Sequence, residues 1–569
     1  MLVADLRFDK LYRYDELIEA LDSLAALRPD LVTLESIGKS YEGREIRLAT
    51  VTNSQTGPHH EKPAVWVDAN IHSTEVTGST AALHLLHRLV TGHGSGRESD
   101  ERVTRAVDTR TFYVVPRVNP DGVELALSTP PTYVRSSVRK WPRTDDADGL
   151  AEGDVDGDGR ILTMRVVDSN GAWTTAAEDA RLMVPRSPDE HGPGPYYRLL
   201  TEGTIRNYDG IVVQAARENR SLDLNRNFPM SWRTEGEQRG AGPFPASEPE
   251  VRTIIEAVVA RPNICAYFAH HTFSAVILRP YDDRADDQFP TEDLRIYKEL
   301  GKRATKITGY KVLSVFHDFR YDPKDVTTGA ADSWAYEHLG VLGWTTEFWS
   351  PLPKAGITDY HFVDWFGEHP VTDDIALLRW NDDALGGRGF VPWYPFEHPQ
   401  LGPVEIGGWD WFNVWGNAPP ELMEAEIAPH SDLQIFTALA TPRLRVHLAD
   451  ARRLGDSTWL VRVAVENDGW LPTNVTEKAK EKKLVEPVHA RVELPDGARL
   501  VNGTERVELG QLVGRSRART MLDDFGGGTD ETRDRAKAEW IVEAPSGTTI
   551  EITVAHPRAG VVRTTVALN

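Results

Sequence analysis

The chain has 569 residues, 40% of them hydrophobic and sixteen of them Trp, which is ample for two packed cores. Its formal charge of −22, from 64 basic and 86 acidic side chains, argues against nucleic acid as a partner, because a phosphate backbone needs a basic surface. The single cysteine, Cys265, excludes an intrachain disulfide, and no run of about eighteen apolar residues offers a membrane span. The segment Met1 to Arg7 lacks a basic stretch followed by an apolar run, so a cytoplasmic protein is expected, although a secreted mature form would look the same.

In chain order, residues 14–28 carry Leu17, Leu21, Leu24 and Leu27 at helical spacing and stop at Pro29. Residues 31–34 and 46–51 read as strands around a Gly-containing hairpin turn. An apolar strand at 64–69 runs into His72-Ser73-Thr74-Glu75, and 76–90 has the spacing of a helix. A Gly/Ser-rich loop at 93–100 precedes a buried strand at 111–116 and the turn signal Asn119-Pro120-Asp121-Gly122. Residues 141–220 are polar and weakly periodic, and read as a long excursion from the sheet. Helices are expected at 247–260, 292–308 and 331–339, and inner strands at 265–271 and 341–349. A Trp-, Pro- and Gly-rich stretch at 350–430 leads to a helix at about 420–440. Beyond Pro442, short alternating strands without a helix of substance indicate a β-sandwich. The expected fold is α/β over residues 1–440, a mixed sheet flanked by helices, followed by a smaller all-β sandwich domain over 441–569.

Imidazole and carboxylate groups gather at the carboxyl ends of these strands, where α/β sheets place their ligand sites. His72 and Glu75 are three apart and point the same way if the chain turns helical there. His270 and His271 end another strand, and alternation lets one of them face a given pocket. Glu347 ends a third. Any of these alone reads as an ordinary core or surface group. Together they suit a catalytic zinc, which takes three protein ligands and leaves one position open. Separately, Asp154, Asp156 and Asp158 with Gly159 match the start of a calcium loop, but Arg165 stands where an EF-hand needs Glu.

Five motifs in this order carry a family resemblance. They are His72-Ser73-Thr74-Glu75, Asn119-Pro120-Asp121-Gly122, Asp223-Leu224-Asn225-Arg226-Asn227, His271-Thr272-Phe273-Ser274 and the late Glu347. Over roughly residues 10–350 the chain resembles the zinc metallocarboxypeptidases, also called peptidase family M14. The resemblance implies that His72, Glu75 and His271 hold zinc, that Asp223 supports the His72 ring, and that Glu347 is the general base. It implies that Asn225 and Arg226 grip a terminal carboxylate, a task that suits a guanidinium fork. Arg139 is the expected partner of the developing oxyanion, with Arg135 as second choice and placed in an outer substrate subsite. Counting back from Glu347 puts Asp332 at the floor of the pocket for the C-terminal side chain, where a carboxylate favours Lys or Arg. A helix-capping Asp is the plain alternative. In the register of the family's capping Tyr stands Asp325, with Tyr321 nearby.

The leading expectation is a zinc-dependent carboxypeptidase that hydrolyses C-terminal peptide bonds through a zinc-activated water. Its cofactor is Zn2+, with Ca2+ as a further ion at the Asp-rich loop, and its substrates are peptide or protein C termini. Two other readings compete. One is a hydrolase of a non-standard amide, such as a cell-wall peptide or an amino-acid conjugate. The other is a non-catalytic peptide-binding protein recruited through its β-sandwich.

Overall fold

The computed structural model describes residues 6–95, 99–322, 324–520 and 531–569. Met1–Asp5 at the chain start and residues 96–98 of the expected Gly/Ser-rich loop lie outside the described residues. The larger core surrounds an eight-stranded mixed sheet. Its spatial order is Val32–Lys39, Glu45–Val51, Thr111–Val115, Ala64–Ala69, Ile264–Thr272, Leu342–Phe348, Val276–Arg279 and Lys311–Ser314. The central strands Thr111–Val115, Ala64–Ala69, Ile264–Thr272 and Leu342–Phe348 run parallel, and the first two strands form the expected antiparallel hairpin. Ala64–Ala69 and Ile264–Thr272 are buried along their whole length, as strands covered on both faces must be. The helices Tyr14–Leu27, Thr77–Gly92, Pro249–Val259, Thr291–Thr308, Ala331–Leu339 and Pro420–Ala440 flank this sheet. Among the described residues no helix is long and apolar enough to cross a membrane.

Three local expectations change. His72 and Glu75 lie in a turn ahead of the helix Thr77–Gly92, not within it. Asn119-Pro120-Asp121-Gly122 starts a short helix, Pro120–Ala126: the Asn119 side chain accepts from the Gly122 N–H, and Pro120 occupies the first turn. A helix at Glu101–Thr109, capped by Asp100, follows the loop and went unanticipated.

The largest change concerns the two stretches that looked irregular. Residues 141–220 contain short strands, and four of them join two strands from 350–430. They form a six-stranded sheet in the order Phe390–His398, Gly402–Trp409, Thr163–Val167, Tyr197–Thr201, Trp173–Thr175 and Met183–Pro185. Segments whose paired residues Arg165 and Glu405 lie 240 positions apart thus build one accessory sheet with its own small core, including Leu162, Met164, Val404 and Ile406. Beyond Pro442 two four-stranded sheets enclose a second large core around Trp459, Trp540 and Val554.

Candidate active site

Strand ends place the site. After Ala69 the chain bends through Asn70, whose φ of +58 is a conformation Asn tolerates better than most residues. The Asn70 amide donates to the His72 carbonyl at 3.1 Å and so helps to shape the turn. Across the sheet, Ala69 pairs with His270 and His271 pairs with Glu347, which brings three strand ends level. His271 faces the His72 turn, and His270 faces the opposite side, where it meets the Gly78 carbonyl and Gln434.

The resulting cluster is tight and buried. His72 Nδ1 lies 2.7 Å from Glu75 Oε1, and His271 Nδ1 lies 2.9 Å from Glu75 Oε2. The two Nδ1 atoms are 3.1 Å apart. On the far side of its ring, His72 Nε2 is 3.0 Å from Asp223 Oδ1. A proton on Nε2, donated to Asp223, leaves the Nδ1 lone pair facing inward, the tautomer a metal-bound imidazole needs. Three acceptor groups then converge on one point in a dry site, an arrangement that is costly without a cation between them. The donor set of two imidazoles and one carboxylate, with a supporting carboxylate behind one ring, fits zinc. Despite its burial, Glu75 is held well below the usual carboxylate range by His72 and His271. Asp223 is likewise held low, against its burial, by Arg135 and His72.

Glu347 stands beside the cluster, and burial together with the charge of Glu75 pushes its carboxyl well above the usual range. A divalent cation at the cluster reverses that repulsion. Arg226 contributes a second feature. Its guanidinium donates to the Asn225 carbonyl at 2.8 Å and has no acidic side chain within ion-pair distance among the described residues. Its charge is nevertheless felt by Glu347, Asp223 and Asp282. Gly329, at φ +71, packs against the Arg226 backbone so closely that a Cβ would sit 2.2 Å from the Arg226 carbonyl oxygen. The Asn225 Oδ1 accepts from the Ala331 N–H, which fixes the side chain, while its Nδ2 makes no hydrogen bond among the described residues.

The structure places Arg135, and not the first-choice Arg139, at the cleft. Arg135 Nε donates to Asp223 Oδ2 at 3.0 Å, and its Nη1 lies 3.4 Å from Glu75 Oε1. It lines a cleft of about 790 Å³ together with His72, Glu75, Tyr321 and Glu347. Arg139 does not line this cleft; its guanidinium forms two bonds, 2.9 and 2.6 Å, to Glu248. Glu248 is fully buried and needs that cation, so Arg139 is committed to it. Tyr321 reaches the same cleft, whereas Asp325 lies toward Arg233 at 3.9 Å.

Asp332 is buried near the start of the helix Ala331–Leu339, and it accepts from the Ser333 N–H and the Thr345 hydroxyl. It has a neighbour that the sequence reading passed over. Asp282 is 3% exposed, its Oδ2 has no hydrogen-bond partner among the described residues, and burial together with the charge of Asp332 pushes it well above the usual range. The acidic pair Asp282-Asp283 directly after Pro280-Tyr281 was the available signal. In the Asp-rich loop, Asp158 turns to Arg160 at 2.6 Å and leaves the expected set. Asp154 and Asp156 instead gather with the buried Glu202, with ligand atoms all within 4.8 Å of one another.

With this geometry in view, the comparisons decide the family. A family model described as zinc carboxypeptidase matches residues 17–360, more than half of the chain. The chain belongs to the zinc carboxypeptidase family. A second model, described as a domain of unknown function, matches residues 443–567. Among curated zinc carboxypeptidase relatives, carboxypeptidase A2 of Mus musculus is 22% identical over 343 residues, covering 59% of this chain and 61% of its own. This chain therefore spans about three fifths of that relative's length. Carboxypeptidase B of Astacus astacus is 23% identical over 341 residues, covering 58% of this chain and 82% of its own. Among solved structures, carboxypeptidase A from Helicoverpa armigera aligns at TM-score 0.38 and 20% identity, over 67% of this chain and 75% of its own.

Proposed function

We propose that this protein is a zinc-dependent carboxypeptidase that removes C-terminal residues, with a preference for basic ones. The observation that carries the reading is Arg226, a cation without an acidic partner among the described residues, set beside a three-donor metal cluster and Glu347. A terminal carboxylate is the natural partner for such a guanidinium. It would hold the last residue of a chain so that the preceding peptide bond faces His72, Glu75 and His271. The chemistry zinc supplies when bound there is activation of water and polarisation of the carbonyl. Glu347 then takes the water's proton and passes it to the departing amine. Arg135, at the cleft wall, supplies the positive charge that meets the developing oxyanion.

The basic preference rests on Asp332 and Asp282. Both are buried acids without an ion-pair partner among the described residues, held above the usual carboxylate range by burial and, for Asp282, by the charge of Asp332, and a substrate Lys or Arg side chain would supply a cation there. Metal analysis coupled to activity tests the whole reading. The purified protein is expected to contain zinc, to lose turnover on chelation, and to regain it on zinc addition. On a peptide panel it is expected to favour C-terminal Lys or Arg and to leave amidated peptides uncut. Equal cleavage of free and amidated C termini sinks the exopeptidase assignment, and a flat response across C-terminal residues sinks the role given to Asp332 and Asp282.

A further inference from the structure

The accessory sheet does more than extend the fold. The cleft that holds His72, Glu75 and Arg135 is walled on one side by Thr163, Leu199, Thr201 and Met183 from this sheet. Arg226, Asp282 and Asp332 do not line this cleft. The cleft beside the metal cluster is thus lined by other groups than those assigned to the C-terminal residue, which leaves it, on the carboxypeptidase reading, to the chain upstream of the scissile bond.

An aromatic band connects this wall to the metal cluster. Phe273, two residues after His271, packs edge-on against Trp411 at 5.3 Å. Tyr133, two residues before Arg135, stacks on Phe412 at 5.2 Å. Trp411 stacks on Trp415, yet 47% of it stays exposed, an open indole in a cleft. The charges along the cleft are unbalanced. Arg181 is clamped by Asp179 and Asp382, Glu218 by Arg239, and Asp374 lies 3.2 Å from His369. The carboxylate of Glu152, at the end of the strand Gly149–Glu152, has no hydrogen bond or ion pair among the described residues. A lone carboxylate and an open indole are the two groups that favour an ammonium or guanidinium group.

Building on the carboxypeptidase reading, we propose that this cleft is an upstream subsite that selects peptides with a basic side chain N-terminal to the cut bond, received by Glu152 and Trp411. The test uses peptides that end in the same residue and carry Lys or Glu two to four positions upstream. An N-benzoyl dipeptide, too short to reach the wall, accompanies them. At low salt, kcat/KM for the Lys peptide is expected to exceed that for the Glu peptide by about fivefold, shrinking in high salt. Glu152→Gln is expected to bring that ratio to within about twofold of one, and Trp411→Ala to reduce it as well. Equal rates for Lys and Glu peptides in the unaltered enzyme, or a ratio that survives Glu152→Gln, overturn the proposal. If the blocked dipeptide is cut while the ratio is one, the subsite alone fails. If no substrate is cut by the zinc-loaded protein, the carboxypeptidase reading itself fails.

Discussion

Glu347 and Arg135 owe their assigned roles to their surroundings. A carboxyl pushed up by burial and by Glu75 is poised to exchange a proton once a cation offsets that neighbour. Glu347→Gln keeps the size of the side chain and leaves His72, Glu75 and His271 intact. Zinc content is expected to be unchanged while kcat falls by about 10²- to 10⁴-fold. Wild-type turnover in that variant removes Glu347 from the mechanism. The two arginines separate just as cleanly. Arg135→Ala is expected to lower kcat/KM about 10²-fold or more if, as proposed, its cation meets the developing oxyanion. Arg139→Ala strands Glu248 as a buried unpaired charge and is expected to lower stability by about 3 kcal/mol. Steady-state kinetics and urea midpoints on both variants check the pair, and the opposite pattern returns Arg139 to the site.

At the scale of single elements, the helix Pro249–Val259 carries an unusual acid in its first turn. Glu250 is 1% exposed, one oxygen accepts from the Tyr41 N–H, and the other has no partner. Burial pushes its carboxyl up to about 7, against a model-compound value of 4.5. The folded protein therefore keeps a proton that the unfolded chain releases between these two values. Stability from this group is fully present below about 4.5 and is lost as pH rises through about 7. Glu250→Gln is expected to raise stability at pH 8, by on the order of 1–3 kcal/mol, and to change little near pH 4.5. Thermal melts of both proteins across this range measure the difference, and parallel melting curves at all pH values count against it.

Across the whole molecule, the β-sandwich is fastened to the peptidase core by buried contacts, not by a free linker. Arg558 is 4% exposed and donates to the carbonyls of Leu339 and Gly340, at the end of the helix that carries Asp332, and to the Asn474 carbonyl beyond Pro442. On the rim, Arg563 pairs with Glu61 at 2.6 Å. Arg558→Ala removes the donor from the buried Gly340 and Asn474 carbonyls and the half-buried Leu339 carbonyl, and is expected to cost about 2 kcal/mol or more. Limited proteolysis is expected to release the sandwich sooner. Unchanged melting and digestion indicate that the sandwich is held elsewhere.

What the sequence determined by itself was local and ordered. Hydrophobic periodicity placed the inner strands and most flanking helices, because a strand buried on both faces and a half-buried helix leave distinct patterns. The motif order identified His72, Glu75, His271, Asp223 and Asn225-Arg226 as a set, and the chain brings all of them to one end of the parallel strands. Where a side chain's partner lies far away in the chain, sequence had no hold on it. Arg139 went to Glu248 across 109 positions, and Asp158 turned to Arg160 while Glu202 took its place beside Asp154 and Asp156. The accessory sheet was illegible for the same reason. The strands from 141–220 are only three to five residues long, and the sheet is completed where Thr163–Val167 pairs with Gly402–Trp409 from the distant stretch, so 141–220 carries no full periodic pattern. Tertiary pairing alone made those segments into a wall, and with it decided the shape and charge of the cleft beside the metal cluster.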